Sequence, residues 1–239
     1  SNTIAGALTT VAGSTLRLVG DAFVGGATLT VASGFTNRGT IVLAGFNYPM
    51  TLAVTAGTLV NAAEGTIATN SGGTPVLAAA LDNQGVMTLD QGLLLDRPDA
   101  AHVNSGTIAL TGSDVTLAQT GTAPSFTNTS TGTITIGAGR TWTVSGGTLT
   151  QGGTVVGPGT LVVNAATLAL PTSFTTTTLR LTLIGATVAG PGALTNGGAM
   201  YLRGSVINAP FTNADSVVVQ QSNSIAGALT TAVGSTLRL

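Results

Sequence analysis

Residues 1–18 read SNTIAGALTTVAGSTLRL and residues 222–239 read SNSIAGALTTAVGSTLRL, differing only at Thr3/Ser224, Val11/Ala232 and Ala12/Val233. Two near-identical stretches offset by 221 residues mark one long period, 1–221, and the opening of the next, 222–239. A chain that repeats itself in this way must adopt an architecture that can also repeat, which narrows the choice to solenoids, propellers and arrays.

A finer repeat runs inside the long one. An apolar residue, a short residue and Asn are followed, after one to three spacers, by Gly, Thr and Ile. The phrase stands at Phe35-Thr36-Asn37…Gly39-Thr40-Ile41, Leu59-Val60-Asn61…Gly65-Thr66-Ile67 and Phe126-Thr127-Asn128…Gly132-Thr133-Ile134. Weaker forms surround Asn83, Asn104, Asn196 and Asn213; Gln151 replaces Asn once, and Thr does so at Thr10, Thr176 and Thr231. These eleven positions span the long period in ten steps of about 22 residues, so the two repeats agree.

Each unit holds short runs of period-2 alternation bounded by Gly. Leu29 and Val31 share one face and the neighbouring Thr residues the other; Ile41 and Leu43 pair in the same way. Such runs predict half-buried strands. A unit of about 22 residues cannot bury its apolar face alone, so units must stack into a continuous core. The expected fold is all-β: one continuous parallel β-helix (β-solenoid) over 1–239, of about ten coils at about 4.8 Å each. Ile41, Ile67, Met87, Ile108 and Ile134, two residues after each motif Gly, are expected to form one inward core column. The Asn positions are expected at a sharp corner, where Asn tolerates a left-handed backbone and its amide can both donate and accept along a stacked ladder. That corner ladder comprises Thr10, Asn37, Asn61, Asn83, Asn104, Asn128, Gln151, Thr176, Asn196, Asn213 and Thr231. Arg38, Glu64 and Gln84 fall on outward spacers.

The apolar-x-Asn-x-Gly-Thr-Ile phrase resembles bacterial secreted β-helix proteins, the filamentous-haemagglutinin and autotransporter-passenger type of adhesin. The resemblance implies a right-handed helix of about this coil length, export to the cell surface, and work in attachment or as a stalk. Steps of 27 and 17–18 residues near Thr10, Asn213 and Thr231 depart from the pattern and predict a loop or a shortened coil there.

Charged residues make up 6% of the chain, with seven Arg, no Lys and a net charge of −1, which leaves no electrostatic footprint for nucleic acid or an anionic membrane. Residues 141–179 carry no charge at all, yet Gly, Thr, Pro and Asn break them well below the length of a spanning helix. No membrane insertion is expected, and the apolar surface must be buried in a soluble fold. Cysteine is absent, so neither disulfides nor thiolate metal sites are available. The chain opens within its own pattern, as a slice or a processed product would.

Residues that could do chemistry are sparse. His102 is the lone histidine and occupies the slot filled elsewhere by Leu59, Leu81 or Phe126, which reads as a core filler rather than a base. Many carbohydrate-cleaving enzymes are β-helices and use paired carboxylates. Here Asp82, Asp90, Asp96, Asp99 and Asp114 all fall at different offsets from the Asn position, so no pair is expected on adjacent coils. Asp90, Asp96 and Asp99 beside Arg97 could offer oxygen ligands to Ca²⁺, but a solvated loop is the favoured reading of them. Asn128-Thr129-Ser130 is a glycosylation sequon. Thr40, Thr66, Thr107, Thr133 and Thr154 recur as one column, while pairs such as Thr28/Thr30, Thr141/Thr143 and Thr148/Thr150 sit at differing offsets and do not predict a two-wide array.

The expected function is therefore structural and adhesive: a stiff module of a long extracellular or cell-surface fibre, with no catalytic residue, metal or cofactor. Its expected partners are copies of itself end to end or adjoining repeats, with surface glycans as a further possibility. The alternatives are a carbohydrate-active β-helix enzyme and a module that binds ice or glycan through a flat face. Neither end offers a polar cap, and ten coils predict an axial repeat of roughly 48 Å.

Overall fold

A computed structural model describes residues 1–23, 25–70 and 72–238. Its regular structure is all strand, paired in parallel from one turn of the chain to the next, and the chain winds as a β-solenoid of about 11 turns. Each turn lays down three strands, which build three sides. The first side starts with Asn2–Ile4 under Ala27–Val31, and the second includes Phe35–Asn37. The third starts with Thr15–Gly20 under Thr40–Gly45. Met50–Asn61 and Pro75–Asn83 run on from the first side into the second, which joins those two sides into one 20-stranded sheet.

The alternation seen in the sequence sets which residues enter the core. On the first side Leu29, Leu52, Leu77, Leu95, Leu117, Val144, Val163, Leu183 and Leu202 follow one another in register, all inward and buried. On the third side Ile41, Ile67, Met87, Ile108 and Ile134 lie in direct register, 0–4% exposed. Because identical strand positions stack, one apolar column per side yields a single continuous core.

The motif Gly is required by the closeness of the coils rather than by a turn. At Gly106 a Cβ would stand 2.2 Å from the Gly85 carbonyl oxygen, and at Gly132 it would stand 2.3 Å from that of Asn104. Any side chain there would push one coil off the one before it.

The coil count departs from the ten steps read in the sequence, and the discrepancy lies between Gln151 and Thr176. The sequence phrase places one coil there. Instead Thr148–Gln151 is covered on the second side by Thr167–Ala169, with Thr150 facing Ala169. Phe174–Thr176 then begins a new four-stranded sheet with Leu194–Asn196, Phe211–Asn213 and Leu229–Thr231. It takes the third position of its turn, after Thr160–Asn164 on the first side and Thr167–Ala169 on the second. The chain has therefore inserted one additional strand. The physical reason is that later coils are shorter. Successive ladder residues are 21 to 27 apart as far as Gln151, but 20 apart from Thr176 to Asn196 and 17 from Asn196 to Asn213. A 25-residue step among such coils holds a full turn and one strand more.

The irregular spacings are absorbed at the turns. In the 27-residue first coil, the extra length forms a small loop closed by an antiparallel bridge between Asp21 and Gly25. The strand Met50–Asn61 bulges between Ala53 and Thr58. Among the described residues no helix is long and apolar enough to cross a membrane.

Candidate functional site

The most organised polar feature of the molecule is the amide ladder buried at the end of the phrase strand. Asn37, Asn61, Asn83 and Asn104 each donate through Nδ2 to Oδ1 of the next Asn, at 2.7–2.8 Å, ending at Asn128. Asn128 passes its bond to Gln151 Oε1 at 3.3 Å, and Gln151 closes the run by donating to the Gly153 carbonyl. Thr10 opens it by donating its hydroxyl to Asn37 Oδ1 at 2.6 Å. All donors point the same way along the axis. Their second N–H bonds reach backbone carbonyls, as from Asn37 to Thr66 and from Asn61 to Val86. The ladder Asn residues are at most 1% exposed, so their amides are satisfied wholly by protein.

The eleven expected ladder residues form two ladders on two sides rather than one. Thr10 through Gln151 make the first, on the second side. Thr176, Asn196, Asn213 and Thr231 stack on the third side, where Thr176 donates to Asn196 Oδ1 and Asn196 to Asn213 Oδ1. The left-handed backbone expected at these Asn is also absent. Among the described residues, the non-glycine positions with positive φ are Asn47, Asp99, Ala165 and Gln221, none of them in a ladder. The amide, with one donor and one acceptor aligned along the axis, is what this position requires.

His102 sits in an inward slot over Leu81, facing Phe126 at a ring-centroid distance of 6.3 Å, while Phe126 meets Trp142 edge-on at 5.2 Å. Its Nδ1 accepts the Leu81 N–H at 3.3 Å. Burial lowers its pKa to about 4, so the imidazole is neutral and committed to the core near neutral pH.

The acids are spread along the rod. Asp90 accepts from the Thr111 hydroxyl, Asp99 from the Thr122 N–H, and Asp114 from the Thr141 N–H. Each bond spans one coil, so these carboxylates brace neighbouring turns. Arg97 reaches back to the carbonyls of Val54 and Thr55 at the bulge instead of joining Asp90, Asp96 and Asp99. Among the described residues no three His, Cys, Asp or Glu side chains gather where they could hold a metal ion. A surface groove beside Tyr201 is lined by Arg180, Met200 and Val218 together with small residues, with no carboxylate or histidine in its lining.

On the outward spacers, Arg38 and Glu64 form an ion pair at 2.6 Å between adjacent coils. A backbone hydrogen bond at Glu64 and then the Arg38 guanidinium hold its carboxyl below the usual range. Asn128 of the sequon is fully buried in the ladder. The Thr column on the third side is in register from Thr15 to Thr154, interrupted by Val86. The next outward column there runs Val42, Ala68, Thr88, Ala109 and Thr135, which is mostly apolar.

No family model matches this chain, and no curated protein or solved structure is significantly similar to it. The arrangement of its own residues therefore has to support any functional reading. What sequence reasoning missed is the recurrent use of polar side chains as braces between neighbouring coils. Their separations of about one repeat were visible, but which Thr meets which Asp depends on register.

Proposed function

We propose that the chain is a structural rod module of a long repetitive fibre at the cell surface or outside the cell, acting as a stalk or in attachment. The observation that carries this reading is that the chain re-opens its own sequence period within one unbroken stack. Residues 222–239 repeat residues 1–18. They pair in parallel with the preceding coil, Ser224–Ile225 on Val206–Ile207, Leu229–Thr231 on Phe211–Asn213 and Thr236–Arg238 on Ser216–Gln220. A stack that starts its period again on a preceding coil can be extended by the same contacts. A further turn of the same sequence would supply matching apolar residues and backbone partners. The polar side chains already serve as inter-coil braces, which suits a mechanical role. The resemblance of the repeat phrase to secreted β-helix adhesins supports the surface location and the adhesive role.

The test is the assembly state of the purified chain. End-to-end rods with a strand spacing of about 4.8 Å along the axis are expected by fibre diffraction or cryo-microscopy. Leu229→Glu together with Leu237→Glu should suppress them. A chain that stays a monodisperse monomer at high concentration would overturn the reading.

A further inference from the structure

The long sequence period and the three-sided coil are out of phase. Asn2–Ile4 lies on the first side, whereas its twin Ser224–Ile225 lies on the second, above Val206–Ile207. Thr10 bridges to Asn37 on the second side, whereas its twin Thr231 pairs with Asn213 on the third. Thr15–Gly20 lies on the third side, whereas its twin Thr236–Arg238 pairs with Ser216–Gln220 on the first. All three twins have moved one side round in the same direction.

Counting along the first side gives the size of the offset. From Asn2 the register passes through Leu29, Leu52, Leu77, Leu95, Leu117, Val144, Val163, Leu183 and Leu202 to Val219, which is ten turns. The twin of the Asn2 strand comes one strand later. The additional strand is the one inserted between Gln151 and Thr176.

The repeated segment tolerates either side because it meets the same chemistry on both. Thr15, Leu16 and Arg17 face Thr40, Ile41 and Val42; their twins Thr236, Leu237 and Arg238 face Ser216, Val217 and Val218. A hydroxyl faces a hydroxyl, an inward aliphatic stacks on another, and Arg stands opposite Val in register. Thr10 opens a ladder by donating to Asn37, and Thr231 holds the equivalent place for the Asn of a following coil.

We infer that the 221-residue period winds ten turns and one further side, so that a second copy of it, stacked on the C-terminal coil, sits one side round from the first. This rests on the rod-module reading. Three copies are needed before the pattern returns to its starting side. One period rises roughly 50 Å and three rise roughly 150 Å, taking about 4.8 Å per turn. Any feature of one side, such as the Thr column on the third, is then presented on each side in turn. No single side offers a uniform flat surface longer than one period, and lateral contacts are spread around the rod.

The phase step is testable in the 239-residue chain, which has no cysteine to interfere. Thr150→Cys with Ala169→Cys places two thiols directly opposite on adjacent strands, within disulfide reach. Thr150→Cys with Thr175→Cys joins the positions that a ten-coil repeat would pair. Thr127→Cys with Thr150→Cys, paired on the second side, is the reference. With the reference pair crosslinking, oxidation should join 150 to 169 and leave 150/175 reduced. Crosslinking of 150/175, or failure of 150/169, would overturn the phase step.

The array consequence is read from a chain of three consecutive periods carrying Ala138→Cys in each, labelled with gold at this exposed loop position and imaged in vitreous ice. Labels on three different sides of the coil are expected. Labels recurring on one side would refute the offset while leaving the fibre reading intact. Periods that fail to continue into one rod would refute the fibre reading itself.

Discussion

His102→Leu replaces the lone imidazole with the residue that fills the same inward slot one coil earlier, Leu81. In the unfolded chain a histidine titrates near 6.5, whereas burial against Leu81 and Phe126 lowers the folded value to about 4. Above pH 6.5 both states are neutral and the residue gives no pH dependence. Below it the unfolded chain takes up a proton that the folded chain refuses, so stability falls until the pH passes the folded value. One pH unit of this difference is worth about 1.4 kcal/mol, so the parent should lose about 2 kcal/mol between pH 7 and 5 and about 3 by pH 4 from this residue alone. Carboxylates are common to parent and variant and cancel in the comparison. Urea unfolding of both proteins at pH 7, 5 and 4 reads the difference, and NMR titration of the single imidazole reads the folded pKa directly. At pH 7 the loss of the acceptor for the buried Leu81 N–H, about 1–3 kcal/mol, is opposed by added apolar burial, so the change of the difference with pH is the readout. A histidine that titrates between pH 6 and 7 in the folded protein, or two stabilities that fall in parallel, would refute this account.

Asn104→Ala removes a ladder rung, leaving Asn83 Nδ2 and Asn128 Oδ1 without their partner. By thermal or urea unfolding it should cost about 2–6 kcal/mol, and a neutral result would show that the ladder is ornamental. Gly106→Ala drives a Cβ into the Gly85 carbonyl and should cost about 1–3 kcal/mol, with loss of backbone protection in the adjacent coils by hydrogen exchange. Ile108→Asp places a carboxylate between Met87 and Ile134 and should cost several kcal/mol, on the order of the penalty for an unpaired buried charge; melting like the parent would show the facing to be wrong. Incubated with polysaccharides, the purified chain should release no reducing sugar, and activity that vanishes in His102→Leu would overturn the structural reading.

Strand type, facing and stacking were legible in the sequence because each is a local property. Alternation about Ile41 or Ile134 sets which residues point inward whatever the coil does elsewhere. The need to bury that face against an identical neighbour makes the solenoid follow from the repeat. The value of Asn at the phrase end was legible as a ladder, since an amide can donate and accept in the same direction at every rung. The left-handed backbone expected there was not found, because this Asn closes a strand with its backbone still extended. The phase of the coil was not legible. All three sides demand the same in-out alternation, so nothing local tells Thr167–Ala169 from Phe174–Thr176 as the strand that covers Thr148–Gln151. That choice depends on how many residues each turn consumes, which is fixed only when coil meets coil. Ladder partners, coil-to-coil braces and the one-side offset between twin segments all follow from it. They exist only once the coils are stacked, because each joins residues about one coil apart that no local pattern brings together.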